Sequence, residues 1–160
     1  MAYELRAVIA EDGLLRGVAR DVAGARVVAL RQGLSLLPMT DELVDARAGA
    51  GGTEVLGFQR LPAGFERTLA GWSVAGSLAY VEVESFGGVG EERAAVWAGG
   101  GLVLGPLDVP VKRWFSWPVG PVSQALRRLG ARGGRGGDAF DAVGLDRHRW
   151  TEDWAASGAG

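Results

Sequence analysis

The chain has 160 residues, a formal net charge of -2, 48% hydrophobic residues and no cysteine. That length suits one domain burying about two thirds of its unfolded surface, and the missing thiols exclude thiol catalysis, thiolate zinc sites and disulfide staples. No apolar run approaches the roughly 20 residues of a membrane span, and the start MAYELRAVIAEDG lacks the pattern of a secretory signal, so a cytoplasmic address is expected.

Tyr3 to Ala10 reads as a first strand in which Glu4 and Arg6 mark an edge or one-faced element. Asp12 is placed to cap a helix whose Leu14, Leu15, Val18 and Val22 recur at helical spacing, with Gly24 as its terminator. Arg26 to Leu37 is rich in Val and Leu and contains Gly33, which gives either a long strand with a bulge or two strands broken there. Thr40 followed by Asp41 and Glu42 opens a short helix, because the hydroxyl accepts a free amide hydrogen and the acids suit the positive end of the dipole. The glycine-rich stretch from Ala48 to Gly52 ends it.

Phe65, Leu69 and Trp72 form one helical stripe within Pro62 to Ser73. Then comes the clearest architecture in the chain. SLAYVEVESF, RAAVW and LVLGPLDV, separated by the glycine turns GGVG and GGG, predict a three-stranded antiparallel meander between Ser77 and Val109. In its first strand Val81 and Val83 face one way and Tyr80, Glu82, Glu84 and Phe86 the other, which predicts one core face and one partly wet face, with helices covering mainly the former. Pro121 suits a first helical position, and Val122, Ala125, Leu126 and Leu129 follow as an apolar stripe ended by Gly130. Asp138 is expected to cap a turn through Phe140 and Val143. Trp150 and Trp154 lie one helical turn apart, which predicts a docked helical turn over Thr151 to Ala155 with Thr151 as its cap.

These elements give an α+β fold: a mixed sheet of about five strands with the meander in the C-terminal half, one globular domain over residues 1–154, and a disordered tail at 155–160.

Chemistry is sparse along this chain. His148 is the only histidine, so a catalytic reading needs it as a general base with Asp146, Asp153, Glu82 or Glu84, at the rim of a pocket near Trp150. No G-x-S-x-G elbow or H-E-x-x-H motif accompanies it, and one histidine without cysteine argues against a transition-metal site. Gly87, Gly88 and Gly90 sit between two strands and are followed by two acids, which makes them a turn and not a phosphate loop. Glu82 and Glu84 share a strand face on which they would be solvated carboxylates, a hard-cation pair or an acid and base pair. Beside Tyr80 and Phe86 they also make a protein-binding face.

Lys112 is the only lysine, against sixteen arginines, and asparagine is absent; these choices point to a high-GC, actinobacterial genome. Residues 109–137 contain no acid and six cations, interleaved with Trp114, Phe115 and Trp117. Such a segment suits single-stranded nucleic acid, although Pro110, Pro118 and Pro121 bracket the rings as in a rigid connection that pins Trp114 and Trp117 against a core or a protein partner.

PAGFERTLAGWS, AYVEVESFGGVGEERAAVW, QALRRLG and FDAVGLDRHRWTEDW resemble a group of small actinobacterial proteins of unassigned activity, from about Pro62 to Trp154. In architecture that group is similar to cytosolic immunity proteins, which neutralise toxins by occluding them. The missing catalytic set, together with the acidic aromatic strand face, points to a non-enzymatic protein-binding module without cofactor or metal. Its binding residues would be Tyr80, Glu82, Glu84, Phe86, Trp114 and Trp117.

Overall fold

The computed structural model describes residues 2–48, 51–52, 54–86, 89–110, 120–133 and 139–157. Its centre is an antiparallel sheet of six strands: β1 (Tyr3–Glu11), β2 (Val28–Ala29), β3 (Leu34–Pro38), β4 (Leu78–Phe86), β5 (Val89–Ala98) and β6 (Gly101–Pro110), in the order β2-β3-β1-β4-β5-β6. The α+β class holds. The meander β4-β5-β6 forms as its alternation requires, although Val89 and Gly90, expected in the first glycine turn, belong to β5 and Gly87 and Gly88 lie outside the described residues; Gly33 separates two strands joined by a tight turn. The sheet is antiparallel at every pairing, whereas a mixed sheet was expected.

Helices cover both faces, and this corrects the expectation of one covered face. Over one face lie α1 (Asp12–Ala19), α2 (Asp41–Ala48) and α3 (Phe65–Trp72), whose Leu15, Leu43, Val44, Phe65 and Leu69 pack with Val8, Leu78, Tyr80 and Trp97 of the sheet. Over the other lie α4 (Pro121–Arg128), α5 (Ala139–Ala142) and α6 (Thr151–Ser157), whose Val122, Leu126, Ala139 and Trp154 meet Leu5, Ile9, Val81 and Val96. Alternation along each strand feeds the two cores in turn. The N-terminal helices therefore own one face and the C-terminal helices the other.

Local chemistry explains the helix starts. Glu11, not Asp12, caps α1, its carboxylate accepting from the amides of Gly13 and Leu14 at 3.0 and 2.9 Å. Asp12 instead accepts from the hydroxyl of Ser35 and from Arg16, and these two hydrogen bonds hold its carboxyl below its ordinary range. Thr40 caps α2 as its sequence implies, accepting from the amide of Leu43 at 3.2 Å. Between β5 and β6 the register shifts near Ala94, where Gly105 adopts φ +79° and a Cβ would lie 2.7 Å from the Ala94 carbonyl oxygen, so only glycine fits that bulge.

The start of α4 is capped from across the layer. Pro121 takes the first helical position and Gly120 offers no side chain, so the buried Glu92 of β5 reaches over and accepts from the amide of Val122 at 2.6 Å. Glu92→Ala is expected to lower stability by about 1–2 kcal/mol, the usual worth of a helix cap. Glu92→Gln, which keeps an acceptor, should lose clearly less. Urea denaturation of both variants checks the ranking.

The tail docks as expected, but unequally, and Thr151 is not its cap: Thr151 is the first helical residue and its hydroxyl bonds β1 instead, accepting from the Arg6 amide and donating to the Glu4 carboxylate. Trp154 is completely buried, whereas Trp150 stays 48% exposed, so one turn of spacing does not bury both rings. The helix continues through Ser157, which places 155–157 in an ordered element; residues 158–160 lie outside the described residues. Ahead of it, Glu4 donates its amide hydrogen to the Arg149 carbonyl at 2.7 Å, and Arg6 its amide hydrogen to Thr151 Oγ1 at 3.0 Å. These bonds occupy the edge of β1 beyond Ala7, where its pairing with β3 ends.

Candidate cleft on the charged end of the sheet

Strand register brings together charges that lie far apart in sequence. On the face carrying Tyr80, Arg6 of β1 stands opposite Glu82 of β4, Glu82 opposite Arg93 of β5, and Arg93 opposite Asp108 of β6. One step further out, Glu4, Glu84 and Glu91 form a second row across β1, β4 and β5. The first row alternates in sign and stabilises itself. The second is uniformly acidic, an arrangement that opposes folding unless each charge finds a partner.

Above the first row lies the segment between α2 and α3. Leu56 and Gly57, at φ 56° and 83°, make a two-residue turn that closes with Phe58 donating to the Val55 carbonyl at 2.9 Å. The turn lowers Phe58 onto Tyr80, ring centroids 4.9 Å apart and nearly perpendicular. Gln59 and Arg60 then present consecutive amides to Glu82, one to each carboxylate oxygen at 2.8 Å. The Tyr80 hydroxyl lies 2.9 Å from Glu82 Oε2 and 3.2 Å from the Arg60 carbonyl oxygen, between two acceptors. Burial, with the Glu82 charge beside it, raises the Tyr80 pKa well above its usual value.

The expectation of a wet face at Tyr80 and Glu82 is thereby corrected. Both are buried, and Glu82 is committed to three donors that pin a loop to the sheet. Glu84 and Phe86, by contrast, are exposed as their alternation implies, Phe86 at 74%. The boundary between covered and open sheet falls between Glu82 and Glu84.

Around that boundary the structure forms a cleft of about 380 Å3, floored by β1, β4 and β5 and walled by Arg60. Three guanidinium groups line it, each tied to carboxylates. Arg6 Nη2 lies 3.0 Å from Glu4 Oε1 and 3.1 Å from Asp41 Oδ1. Arg60 Nη2 lies 2.9 Å from the same Asp41 oxygen. Arg93 pairs with Glu91, and its Nε lies 3.3 Å from Asp108 Oδ2. Glu4 also accepts from the Thr151 hydroxyl at 2.6 Å, so the tail helix reaches the cleft rim. Glu84 alone of the acids lining the cleft has no hydrogen bond or ion pair among the described residues.

Arg6, Arg60, Arg93, Glu4 and Glu91 are cleft residues that sequence reasoning missed. Glu4 and Arg6 carried a signal, two charges on one face of a strand; the register that sets them against Glu84 and Glu82 did not show in the sequence.

His148 stands apart from the cleft. Its ring packs edge-on against Trp154, centroids 4.7 Å apart, and no hydrogen bond joins it to Asp146, Asp153 or another carboxylate among the described residues. Asp146 is exposed, and its charge adds to the burial that raises the Tyr3 pKa. The structure thus does not bring His148 to Glu82 or Glu84. Trp114 and Trp117 lie outside the described residues, as does most of the cationic segment.

Among the described residues no group of three or more His, Asp or Glu side chains is arranged to hold a metal ion, and no helix is long and apolar enough to cross a membrane. No family model matches the chain, and no curated protein or solved structure is significantly similar to it.

Proposed function

We propose that this is a non-catalytic, cytoplasmic protein-binding module of the immunity type, which docks a partner on the open end of the β4-β5 hairpin. The observation that carries this reading is the pairing of exposed apolar side chains with a row of acids. Phe86 and Val89 are 74% and 59% exposed and face each other across the hairpin, next to the in-register row of Glu4, Glu84 and Glu91. Apolar anchors bounded by charge are the ordinary composition of a docking surface. An acidic rim speeds the approach of a basic partner and sets its orientation.

Capture experiments with the immobilised protein, using products of neighbouring genes as candidate partners, test this. The double variant Glu84→Lys, Phe86→Ala should fold as the parent does, since both side chains are exposed, and should release a partner that the parent retains. The expected loss is at least about tenfold in Kd, or 1.4 kcal/mol. A partner held equally well by both proteins, or none retained by the parent, would overturn the proposal.

A further inference from the structure

We infer that the C-terminal helix α6 is a strap that sets the wall of the cleft, acting through Asp41 at the start of α2. Docked, the strap holds the Arg60 guanidinium in place; released, it lets that wall go.

Two routes run from the strap and meet at Asp41. The shorter is a single bond, in which Glu152 Oε1 accepts from the Asp41 amide at 3.2 Å. That amide is the first of α2, where no carbonyl of the helix can serve it. The longer route crosses β1. The Thr151 hydroxyl donates to Glu4 at 2.6 Å, Glu4 holds the Arg6 guanidinium at 3.0 Å, and Arg6 holds the Asp41 carboxylate at 3.1 Å. The same Thr151 oxygen accepts from the Arg6 amide, so one residue of the strap fixes both the backbone and the charges at that end of the strand. Beyond Asp41 the chain of contacts ends at Arg60, 2.9 Å away.

The wall leans heavily on this junction. Arg6 and Arg60 both reach Asp41 Oδ1 through Nη2, while their buried Nε atoms have no hydrogen-bond partner among the described residues. Asp45, the other acid beside Arg60, is 3.7 Å away, beyond hydrogen-bonding distance. Asp41 therefore aims the Arg60 side chain, and the strap places Asp41. Docking of the strap is all-or-none. Trp154 is completely buried in a close-packed core, so α6 either keeps its indole there or leaves, and Thr151 and Glu152 leave with it. An element with two positions, bonded through to a second site, supplies what coupling requires, and the coupling is reciprocal: whatever steadies the wall steadies the docked strap. These contacts belong to the free protein, so the coupling holds or fails independently of the docking surface proposed above.

The test follows the Arg60 side-chain Nε–H resonance in the isotopically labelled full chain. Glu152→Ala, an exposed substitution, should shift that resonance together with the Asp41 amide, whereas Asp153→Ala, the same loss of charge at the neighbouring exposed residue, should leave Arg60 unmoved. Thr151→Val should shift Arg60 through the longer route; should that variant not fold, Glu152→Ala decides alone. In an Asp41→Asn background neither substitution should move Arg60 further. From the other end, Arg60→Gln should raise hydrogen exchange of the Trp154 amide about two- to fivefold relative to that of Val81 in the core of β4, the scale of one exposed ion pair. An Arg60 resonance unmoved by the strap variants, an equal response to Asp153→Ala, a response that survives Asp41→Asn, or exchange that rises equally at Trp154 and Val81 would each overturn the inference.

Discussion

Glu82→Ala is expected to lower the unfolding free energy by about 3–5 kcal/mol. The carboxylate receives the amides of Gln59 and Arg60 and the hydroxyl of Tyr80; both amides lose their partner together, while the hydroxyl keeps only the longer contact to the Arg60 carbonyl. Leaving a buried donor unsatisfied costs about 1–3 kcal/mol. The sum is reduced because the adjoining cleft can admit water to the vacated space. For a domain whose total stability is about 5–15 kcal/mol, that loss approaches unfolding at ordinary temperature. Glu82→Gln keeps the shape and one good acceptor, and should cost about half as much. Urea denaturation measures both. A loss below about 1 kcal/mol for the alanine variant would show that Phe58 and Leu61 hold the loop by packing alone.

Trp154→Ala should be comparably damaging, about 3–5 kcal/mol, because it removes a completely buried indole from the core on the α4 side of the sheet. The same ring supports the His148 edge contact and lies under the Arg147 guanidinium at 5.1 Å. Its indole nitrogen is buried without a hydrogen-bond partner among the described residues, so the loss comes from packing and ring contacts and from no hydrogen bond. Trp154→Phe should therefore recover more than half of it. Trp150→Ala, at a ring 48% exposed, should cost less than about 1 kcal/mol. Thermal melts of the three variants establish the order; equal losses at 150 and 154 would place both rings in the core.

The contrast between these tryptophans shows what the sequence could and could not reveal. Helical spacing placed Trp150 and Trp154 near each other, but Trp150 precedes the first turn of α6 and forms the bridge to Glu4, so its side chain follows strand geometry. Strand and turn patterns were legible throughout the meander, because alternation and glycine punctuation are local properties. Coverage was not. Tyr80 and Glu82 alternate with valines like any half-wet strand, and only the docking of Phe58 and Leu61 from a glycine-rich connection buries them. That connection did carry a signal, apolar Val55, Phe58 and Leu61 around a Leu-Gly turn, which was outweighed by its glycines. Of the site, Glu84 and Phe86 were legible because exposure follows from alternation once a sheet runs past its helices. The arginines that complete the cleft were hidden, since their positions depend on a register fixed by partners up to 87 residues away, as between Arg6 and Arg93 through Glu82.

The pairing of residues 149–151 with β1 has a consequence for how the protein avoids self-association. Without those bonds, the amide hydrogens of Glu4 and Arg6 would stand free on the strand at the middle of the sheet, beside the point where β3 stops. Free strand edges recruit strands from other molecules. Fastening this edge needs a segment 145 positions further along the chain, so any species that has lost or not yet docked its last helix carries an open template. The tail is thus a guard against aggregation as much as a contribution to the core, and clipped or partly synthesised chains are the ones that would accumulate as polymers.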